Sequence, residues 1–512
     1  MSPVASLAAV PHTLGALSPP PPARPARRTN RAITVIGLVL ALAMGALEAT
    51  VVSTAMPSVV GDLGGIELYA WVTTAYLLTS SVTVPIYGKL ADVYGRKPVL
   101  LFGIAVFLFG SAASGAASTM TQLIVFRAVQ GVGAGAMQPI AMTVVGDIFD
   151  LEERARIQGV FGAFWGLFAM IGPAVGGFCV KHLSWRWVFY LNLPFGVAAA
   201  VILIVSFHEQ IERRPHRLDY AGAALLATAL TGLLLATSGA VPGVAIYAAI
   251  AAVVLLAAFI AVERSAAEPM LPLPLFFRPV ILIASISGAI VGGAMTATTT
   301  FVPLFVQAVL HGDPTQAGSA FTPMLIGWPL ASTLSGRLIP RFGFRPLIRV
   351  GLGITAVAGL GLALFGEQHG LRGLRLITGL FGVGMGLSNT ALIIAVQTSV
   401  GWGERGIATA STMFFRIIGG ALAVSGMGGV LNAVIAGDPS ITHELASPVL
   451  SPAGVRGLDP VLLEHVEGAL GRGIGWIFWL IAGGAAAAFV ISLWFPSVPT
   501  RAAVPSAVAA GE

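Results

Sequence analysis

The amino-acid sequence predicts an all-α protein that crosses a membrane many times. Of its 512 residues, 56% are hydrophobic and only 10% are charged, whereas about 25% of the residues of a soluble domain are charged. Apolar runs recur along almost the whole chain, and many reach the roughly 20 residues that a helix needs to span a bilayer. Backbone groups must be paired within hydrocarbon, and these runs lack the two-residue alternation of barrel strands, so they are predicted to be helices.

The apolar runs predict fourteen spans, with both termini in the cytoplasm. Their approximate limits are residues 32–56, 70–90, 97–117, 119–146, 156–180, 187–207, 218–238, 243–262, 280–305, 316–338, 346–366, 373–397, 406–432 and 473–495. With the N-terminus inside, 20 of the 28 Lys and Arg residues lie on the inner side, six lie outside, and Arg127 and Arg416 lie within spans. Basic residues accumulate on the cytoplasmic side of membrane proteins. The orientation therefore accounts for the net charge of +6, and no nucleic-acid partner is expected.

An internal repeat relates the first six spans to the last six. GKLADVYGRKP at 88–98 is similar to GRLIPRFGFRP at 336–346, with an offset of 248 residues. QGVGAG at 130–135 is similar to FGVGMG at 381–386, with an offset of 251 residues. Parallel repeats of this kind are a transporter architecture, in which the substrate site lies between the halves near the middle of the bilayer.

The repeat and the spans divide the chain into five regions. These are a disordered cytoplasmic tail (1–31), an N-terminal six-helix half (32–207), two inserted helices with cytoplasmic flanking loops (208–279), a C-terminal six-helix half (280–497) and a second cytoplasmic tail (498–512). The C-terminal half includes a long external loop, 433–472. A signal peptide is disfavoured because the apolar run after Arg31 is too long for one and lacks a clear cleavage site.

Two ionisable residues of opposite charge are predicted to lie at similar depth. Glu48, in LEATVVSTAMP (47–57), is about 13 Å below the outer end of the first helix. Arg127, in RAVQGVGAGAMQP (127–139), is about 12 Å below the same surface. Ionisable residues inside a membrane usually face a partner or a cavity, so the two are expected to interact directly or through water. A purely structural acid that plays no part in turnover is the alternative for Glu48.

Three further stretches carry helix-breaking or aromatic residues. In GKLADVYGRKPVL (88–100), Gly88 and Gly95 permit a tight turn. In GLFAMIGPAVGGF (166–178), Pro173 breaks one backbone hydrogen bond, and the glycines provide a smooth face for helix packing. The aromatic residues of WRWVFYLNLPFG (185–196) suit the membrane interface.

With these five stretches in this order, the sequence resembles the major facilitator superfamily. It is most similar to the fourteen-span branch of drug:proton antiporters, the EmrB/QacA type, over roughly residues 32–497. The resemblance implies the major facilitator fold and three groups of functional residues. They are the proton-coupling pair Glu48 and Arg127, a conformational latch of Gly88, Asp92, Gly95 and Arg96, and an antiporter motif of Gly172, Pro173, Gly176 and Gly177. In the latch, Asp92 would pair with basic residues of its own motif and face the start of helix thirteen.

The resemblance further implies a proton-coupled antiporter that exports small amphipathic or hydrophobic compounds, such as drugs, antibiotics and cationic dyes. The expected setting is the cytoplasmic membrane of a bacterium, with lipid, protons and small-molecule substrates as partners and a monomer as the working unit. Candidates for the substrate cavity are the polar, aromatic and basic residues Gln130, Gln307, Trp328, Asn389, Gln397 and Arg416.

Other functions are less well supported. A proton-linked symporter or importer of a nutrient or siderophore shares the fold, and a non-transporting membrane sensor is the alternative of a different class. An enzyme is disfavoured because no nucleophile–base pair and no metal cluster emerges among the eight histidines. No nucleotide-binding loop is present in the sequence, so no cofactor is expected, and a proton gradient is the expected energy source.

Overall fold

The computed structural model describes residues 29–149, 151–209, 219–238, 243–266, 273–365, 370–401, 405–438 and 460–498, with residues 269 and 271 between two of these ranges. The regular structure of these residues is helical. Most of both predicted tails, and residues 439–459 of the predicted external loop, lie outside the described residues.

A helix lies at each predicted span, but the last one begins at Pro460, inside the predicted external loop 433–472, rather than at residue 473. The first half contains α1 (Arg31–Leu63), α2 (Tyr69–Tyr94), α3 (Arg96–Gly115), α4 (Met120–Ile148), α5 (Leu151–His182), the short α6 (Trp187–Tyr190) and α7 (Asn192–Ser206). The inserted pair is α8 (Tyr220–Ser238) and α9 (Ala245–Ser265). The second half contains α10 (Pro279–Ala308), α11 (Pro314–Phe342), α12 (Phe344–Phe365), α13 (Gly370–Thr398), α14 (Arg405–Ala436) and α15 (Pro460–Ser492).

Within the described residues, twelve helical segments are long and apolar enough to cross a membrane, with α6 and α7 forming one of them. Helices α2 and α11 have 26 and 29 residues but are more polar. Their polar residues have an internal role, because α2 packs against α4 and α14 while α11 packs against α5 and α13. The count of fourteen spans stays a prediction that depends on these two helices.

Successive long helices run in opposite directions, so the bundle has two ends. We call the end where α1 begins the proximal end and the end where α1 finishes the distal end. At the proximal end, the Asn30 backbone N–H donates to the Ser206 carbonyl over 3.0 Å. Gly95 and Gly343, which are equivalent in the repeat, finish α2 and α11 with φ values of 98° and 80°. This left-handed conformation favours glycine, so the sequence repeat corresponds to a repeated turn.

The two halves meet along the distal part of the bundle. The Tyr69 hydroxyl of α2 donates to the Thr300 carbonyl of α10 over 2.7 Å. The Asn432 side-chain amide of α14 donates to the carbonyl oxygens of Glu67 at 2.9 Å and Ser238 at 3.2 Å. Asn432 therefore connects the second half both to the first half and to the inserted helix α8.

The inserted helices pack on both halves. Leu226, Leu230 and Leu234 of α8 share one buried cluster with Leu78 of α2 and Phe414 of α14. The cluster lies between the two repeated halves, and α8 contacts one helix of each, α2 in the first half and α14 in the second.

Candidate functional site

Glu48 lies at the centre of a buried polar network in the first half. Glu48 and Arg127 are each 2% exposed, and the Arg127 guanidinium is paired directly with one oxygen of the Glu48 carboxylate. The other oxygen accepts hydrogen bonds from the Gln130 amide at 2.8 Å and the Asn192 amide at 2.7 Å. The carboxylate thus receives three donors, an arrangement that suits its ionised, acceptor-only form.

Arg127 has further partners besides Glu48. Its Nη1 donates to the Gln130 side-chain oxygen over 2.6 Å, and its Nε donates to the Val72 carbonyl over 3.3 Å. The guanidinium also lies 4.3 Å from the centroid of the Tyr76 ring, within the range of a cation–π contact. The Arg127 cation therefore has contacts that do not depend on Glu48.

Asn192 and Ser111 belong to the network but were not singled out from the sequence. The Ser111 hydroxyl accepts from Asn192 at 3.0 Å and Gln130 at 3.3 Å, and it donates to the Phe189 carbonyl at 2.8 Å. In the sequence, each is a polar residue within an apolar run: Asn192 in LNLPFG and Ser111 in FGSAASG. Small polar residues are common in membrane helices, where they join neighbouring helices, so this signal alone does not identify a site.

Glycines bring α4 close enough to its neighbours to form the network. A Cβ atom on Gly131 would lie 2.4 Å from the Tyr76 carbonyl oxygen of α2, and one on Gly110 would lie 2.5 Å from the Gln130 backbone nitrogen. Both contacts are shorter than real Cβ contacts, so a larger residue would separate the helices. The close approach places Arg127 and Gln130 beside α1.

The glycines predicted as an antiporter motif lie against α1, on the helix that carries Glu48. A Cβ on Gly172 would lie 1.9 Å from the Thr50 hydroxyl oxygen, and one on Gly176 would lie 2.8 Å from the Val51 carbonyl oxygen. Thr50 follows Glu48 by two positions. The glycine face of α5 therefore packs directly on the part of α1 that carries Glu48.

The remaining motif residues contact the other half. A Cβ on Gly177 would lie 2.7 Å from the Thr315 Cα atom of α11, and one on Gly318 would lie 2.6 Å from the Pro173 carbonyl oxygen. One face of α5 is thus packed on α1 and another on α11. The motif forms a junction between the two halves at the distal end.

The predicted latch is only partly described. Arg96 Nε lies 2.9 Å from an Asp147 carboxylate oxygen, and the Glu209 carboxylate accepts from the backbone N–H groups of Arg96 at 2.8 Å and Lys97 at 3.0 Å. Glu209, which the sequence did not suggest, therefore caps the start of α3. Gly88 has open space around its Cβ position. The Asp92 side chain and the residues just before α14 lie outside the described residues, so its predicted partners stay a prediction.

The structure separates the six cavity candidates. Gln130 belongs to the Glu48 network, and Gln307 donates to the Thr54 carbonyl over 3.4 Å between the halves. Trp328 lies edge-on to Trp165 with ring centroids 5.8 Å apart. Gln397 donates to the Thr409 hydroxyl over 3.3 Å.

Asn389 and Arg416 line one pocket in the second half. The pocket is small and lies between α10, α13 and α14. Its lining residues are mostly aliphatic: Ala284, Gly288, Asn389, Leu392, Ile393, Val396, Thr412, Met413 and Arg416. An apolar wall with a few polar groups is typical of small-molecule sites.

These features define a multi-pass membrane transporter rather than an enzyme: two related helical halves, a buried charged network and a packed junction between the halves. Residues 38–424 match the family described as Major Facilitator Superfamily. This chain belongs to that superfamily. It therefore works in a lipid bilayer on small-molecule substrates.

Comparison with individual proteins agrees with this assignment. The chain is 38% identical over 415 residues to "Multidrug transporter protein MdtP" of Bacillus subtilis (strain 168), covering 80% of this chain and 76% of that protein. It is 35% identical over 413 residues to "Multidrug resistance protein 3" of the same organism, covering 79% and 80%. Among solved structures, a bacterial homolog to the human lysosomal transporter Spinster, in an inward-facing and occupied conformation, matches with a TM-score of 0.64. That match covers 92% of this chain and 98% of the other at 14% identity, and it shows the fold alone.

Proposed function

We propose that this chain is a fourteen-span antiporter that exports amphipathic or hydrophobic compounds across a bacterial cytoplasmic membrane in exchange for protons. The printed names of its bacterial relatives, a multidrug transporter and a multidrug resistance protein, support export of chemically varied compounds. In this proposal α2 and α11 also cross the membrane, both termini are cytoplasmic, and the distal end is the external end.

The buried Glu48 carboxylate is the observation that carries the proposal. It is an acid that a proton can neutralise inside the membrane, and Arg127 and two amides hold it in place. When Glu48 takes up a proton, Arg127 keeps its contacts with Gln130, Val72 and the Tyr76 ring. Proton binding therefore does not leave an isolated cation, which would be costly in the interior of a membrane protein.

Coupling between the proton and the substrate follows from the packing of α1. Protonation removes the attraction that holds Glu48 against α4, and α1 also carries Thr50 and Val51, which contact the glycine face of α5. An adjacent face of α5 packs on α11. A shift of α1 thus alters the junction that closes the distal end, as alternating access requires.

The test uses inverted membrane vesicles with an imposed pH gradient. Proton movement is followed with a pH-sensitive dye when a transported compound is added. Glu48→Gln preserves the size of the side chain but cannot ionise, Glu48→Asp keeps a carboxyl group, and Glu467→Gln near the distal surface is the matched control.

Wild type, Glu48→Asp and Glu467→Gln are expected to release protons when substrate is added, with a lower rate for Asp because its side chain is shorter. Glu48→Gln is expected to bind substrate without coupled proton release. Coupled release that persists in Glu48→Gln would refute Glu48 as the proton site. Movement of substrate and protons in the same direction would instead identify a symporter.

A further inference from the structure

One face of α11 is exposed and changes from apolar to basic towards the proximal end. Its residues, spaced by four, four, three and four positions, are Ile326, Leu330, Leu334, Arg337 and Arg341. Positions three or four apart lie on the same face of a helix. Trp328, which contacts Trp165 of the first half, lies on nearly the opposite side of α11 at 3.6 residues per turn. The exposed stripe therefore faces away from the interior of the bundle.

The two arginines of the stripe lie at the level expected for lipid headgroups. The helix has 29 residues and is therefore about 43 Å long, whereas the hydrocarbon core of a bilayer is about 30 Å thick. A helix of this length, centred in the core, extends beyond it by about 6 Å at each end. Arg341 is the last residue but one of α11, and arginine side chains near helix ends extend to the membrane surface.

No acidic residue of the neighbouring helices neutralises these two arginines in the described part of the chain. Helices α11, α12 and α13 contain no Asp or Glu. On α5, the Glu153 carboxylate lies 3.5 Å from the Arg31 guanidinium. The Arg341 guanidinium lies 5.5 Å from the ring centroid of Phe342, and neither Arg337 nor Arg341 forms an ion pair with a described residue. Two positive charges about 6 Å apart along the axis thus remain uncompensated.

The equivalent turn of the first half has acidic partners for its basic residues. Arg96 lies 2.9 Å from an Asp147 carboxylate oxygen, and Glu209 accepts from the backbone N–H groups at the start of α3. In the second half, Pro340 stands where the repeat aligns Asp92. The preference of basic residues for the cytoplasmic side explains why arginines are present, but it does not explain this difference between the halves.

We propose that the proximal part of this stripe binds an anionic phospholipid. Its phosphate lies between Arg337 and Arg341, and its acyl chains lie along the apolar residues of the same face. A zwitterionic lipid fits less well, because its own cation already compensates the phosphate. Each basic residue near an anionic membrane surface strengthens binding by about fivefold, so two of them should give a preference of about thirtyfold. The inference rests on the proposed crossing of the membrane by α11 and is independent of proton exchange.

The experiment reads lipid occupancy at the stripe itself. The full chain with Cys179→Ala and Leu334→Cys is labelled with bimane and placed in nanodiscs that mix phosphatidylglycerol and phosphatidylcholine, with bromine on the acyl chains of one lipid at a time. Bromine quenches the label only in contact, so the two series give the relative affinity of the lipids at this site. The matched control is Ile260→Cys on α9, which is also exposed and is followed four positions later by Arg264 alone.

The label at position 334 is expected to prefer phosphatidylglycerol by about thirtyfold, and the label at position 260 by about fivefold or less. Replacing both Arg337 and Arg341 with Gln should abolish the preference at position 334, while quenching by phosphatidylcholine persists and verifies folding. Replacing both with Lys should retain most of the preference, because the charges remain. Arg264→Gln should leave position 334 unchanged.

Equal affinity for the two lipids at position 334, or a preference that survives the double Gln variant, would overturn the lipid site and leave the membrane crossing intact. A label that neither brominated lipid quenches would refute the crossing of the membrane by α11 as well. Glycerol phosphate is added in excess at matched ionic strength, since it shares the chemistry of the headgroup. Retention of the preference supports the lipid, whereas its loss would assign the arginines to a soluble phosphate ester and overturn the proposal.

Discussion

Replacing the partners in the Glu48–Arg127 pair should affect stability in an unequal and non-additive way. Both side chains are buried. In Arg127→Met, the Glu48 carboxylate keeps only two neutral amide donors, and an unpaired buried charge costs about 3–5 kcal/mol. In Glu48→Gln, Arg127 keeps its contacts with Gln130, Val72 and the Tyr76 ring. The cost is then that of the hydrogen bonds lost at position 48, about 1 kcal/mol for each.

We therefore expect a cost of about 3–5 kcal/mol for Arg127→Met and about 2 kcal/mol for Glu48→Gln. The double variant has neither charge, and its cost should fall below the sum of the single costs by about 3 kcal/mol. The measurement is the free energy of unfolding in mixed micelles with an increasing fraction of denaturing detergent.

Additive costs, within about 0.5 kcal/mol, would refute this reasoning. They would mean that the two side chains do not depend on one another in the folded protein.

Three further outcomes follow from the packing and the charges. Gly172→Ala should cost about 1–3 kcal/mol and impair transport, because its Cβ would lie 1.9 Å from a hydroxyl oxygen of α1, whereas Gly45→Ala, with nothing within 4 Å, should be tolerated. Lys181→Ala removes a 3.1 Å ion pair to Asp313 between the halves. Because the distal end is then held together less firmly, labelling of the buried Cys179 thiol by a reagent on the distal side should quicken by up to about fivefold. Exchange of a neutral compound for one entering proton moves one charge, so an imposed potential of 100 mV should supply about 2.3 kcal/mol and accelerate the export of a neutral compound.

Each of these outcomes has a contrary result. Equal transport by Gly172→Ala and Gly45→Ala would show that α1 and α5 can separate freely, and unchanged Cys179 labelling in Lys181→Ala would exclude that ion pair from distal closure. A potential that leaves the export of a neutral compound unchanged would exclude its exchange for a single proton.

The labelling effect should hardly depend on pH. Burial alone would raise the pKa of the Asp313 carboxyl, but hydrogen bonds from the Gln316 backbone and Lys181 outweigh burial and hold the pKa below its ordinary 3.8. A carboxyl whose pKa is lowered in the folded protein contributes fully to stability at a pH above its ordinary pKa. That contribution is lost only as the pH falls through the lowered pKa. The ratio of labelling rates between Lys181→Ala and wild type should therefore be constant from neutral to mildly acidic pH.

The helices, the repeated turns and the Glu48–Arg127 pair could be predicted from the sequence, because membrane helices are marked by long apolar runs. Apolar run length located the helices, and the glycines at 95 and 343 marked equivalent turns. Depth along two helices was sufficient to bring Glu48 and Arg127 together, because both positions could be measured from the same surface.

The rest of the site depends on information that helix depth does not contain. Asn192 and Ser111 are neutral, and their contact with Glu48 depends on how α3 and α7 rotate about their axes. Glu209 reaches α3 from beyond the end of α7. The pairing of Asn389 with Arg416 in one pocket likewise requires the packing of three helices.

The inserted helices make the molecule unequal on its two flanks. Along the contact between α2 and α14, α8 forms an outer cover that belongs to neither half. Along the contact between α5 and α11, exposed apolar side chains, among them Leu167, Ile171, Ile326 and Leu330, form the surface itself. The contact between α5 and α11 therefore faces lipid directly on one flank, whereas α8 separates the contact between α2 and α14 from lipid on the other. Lateral access to the interface between the halves would be one-sided, although the sequence repeat relates the halves to each other.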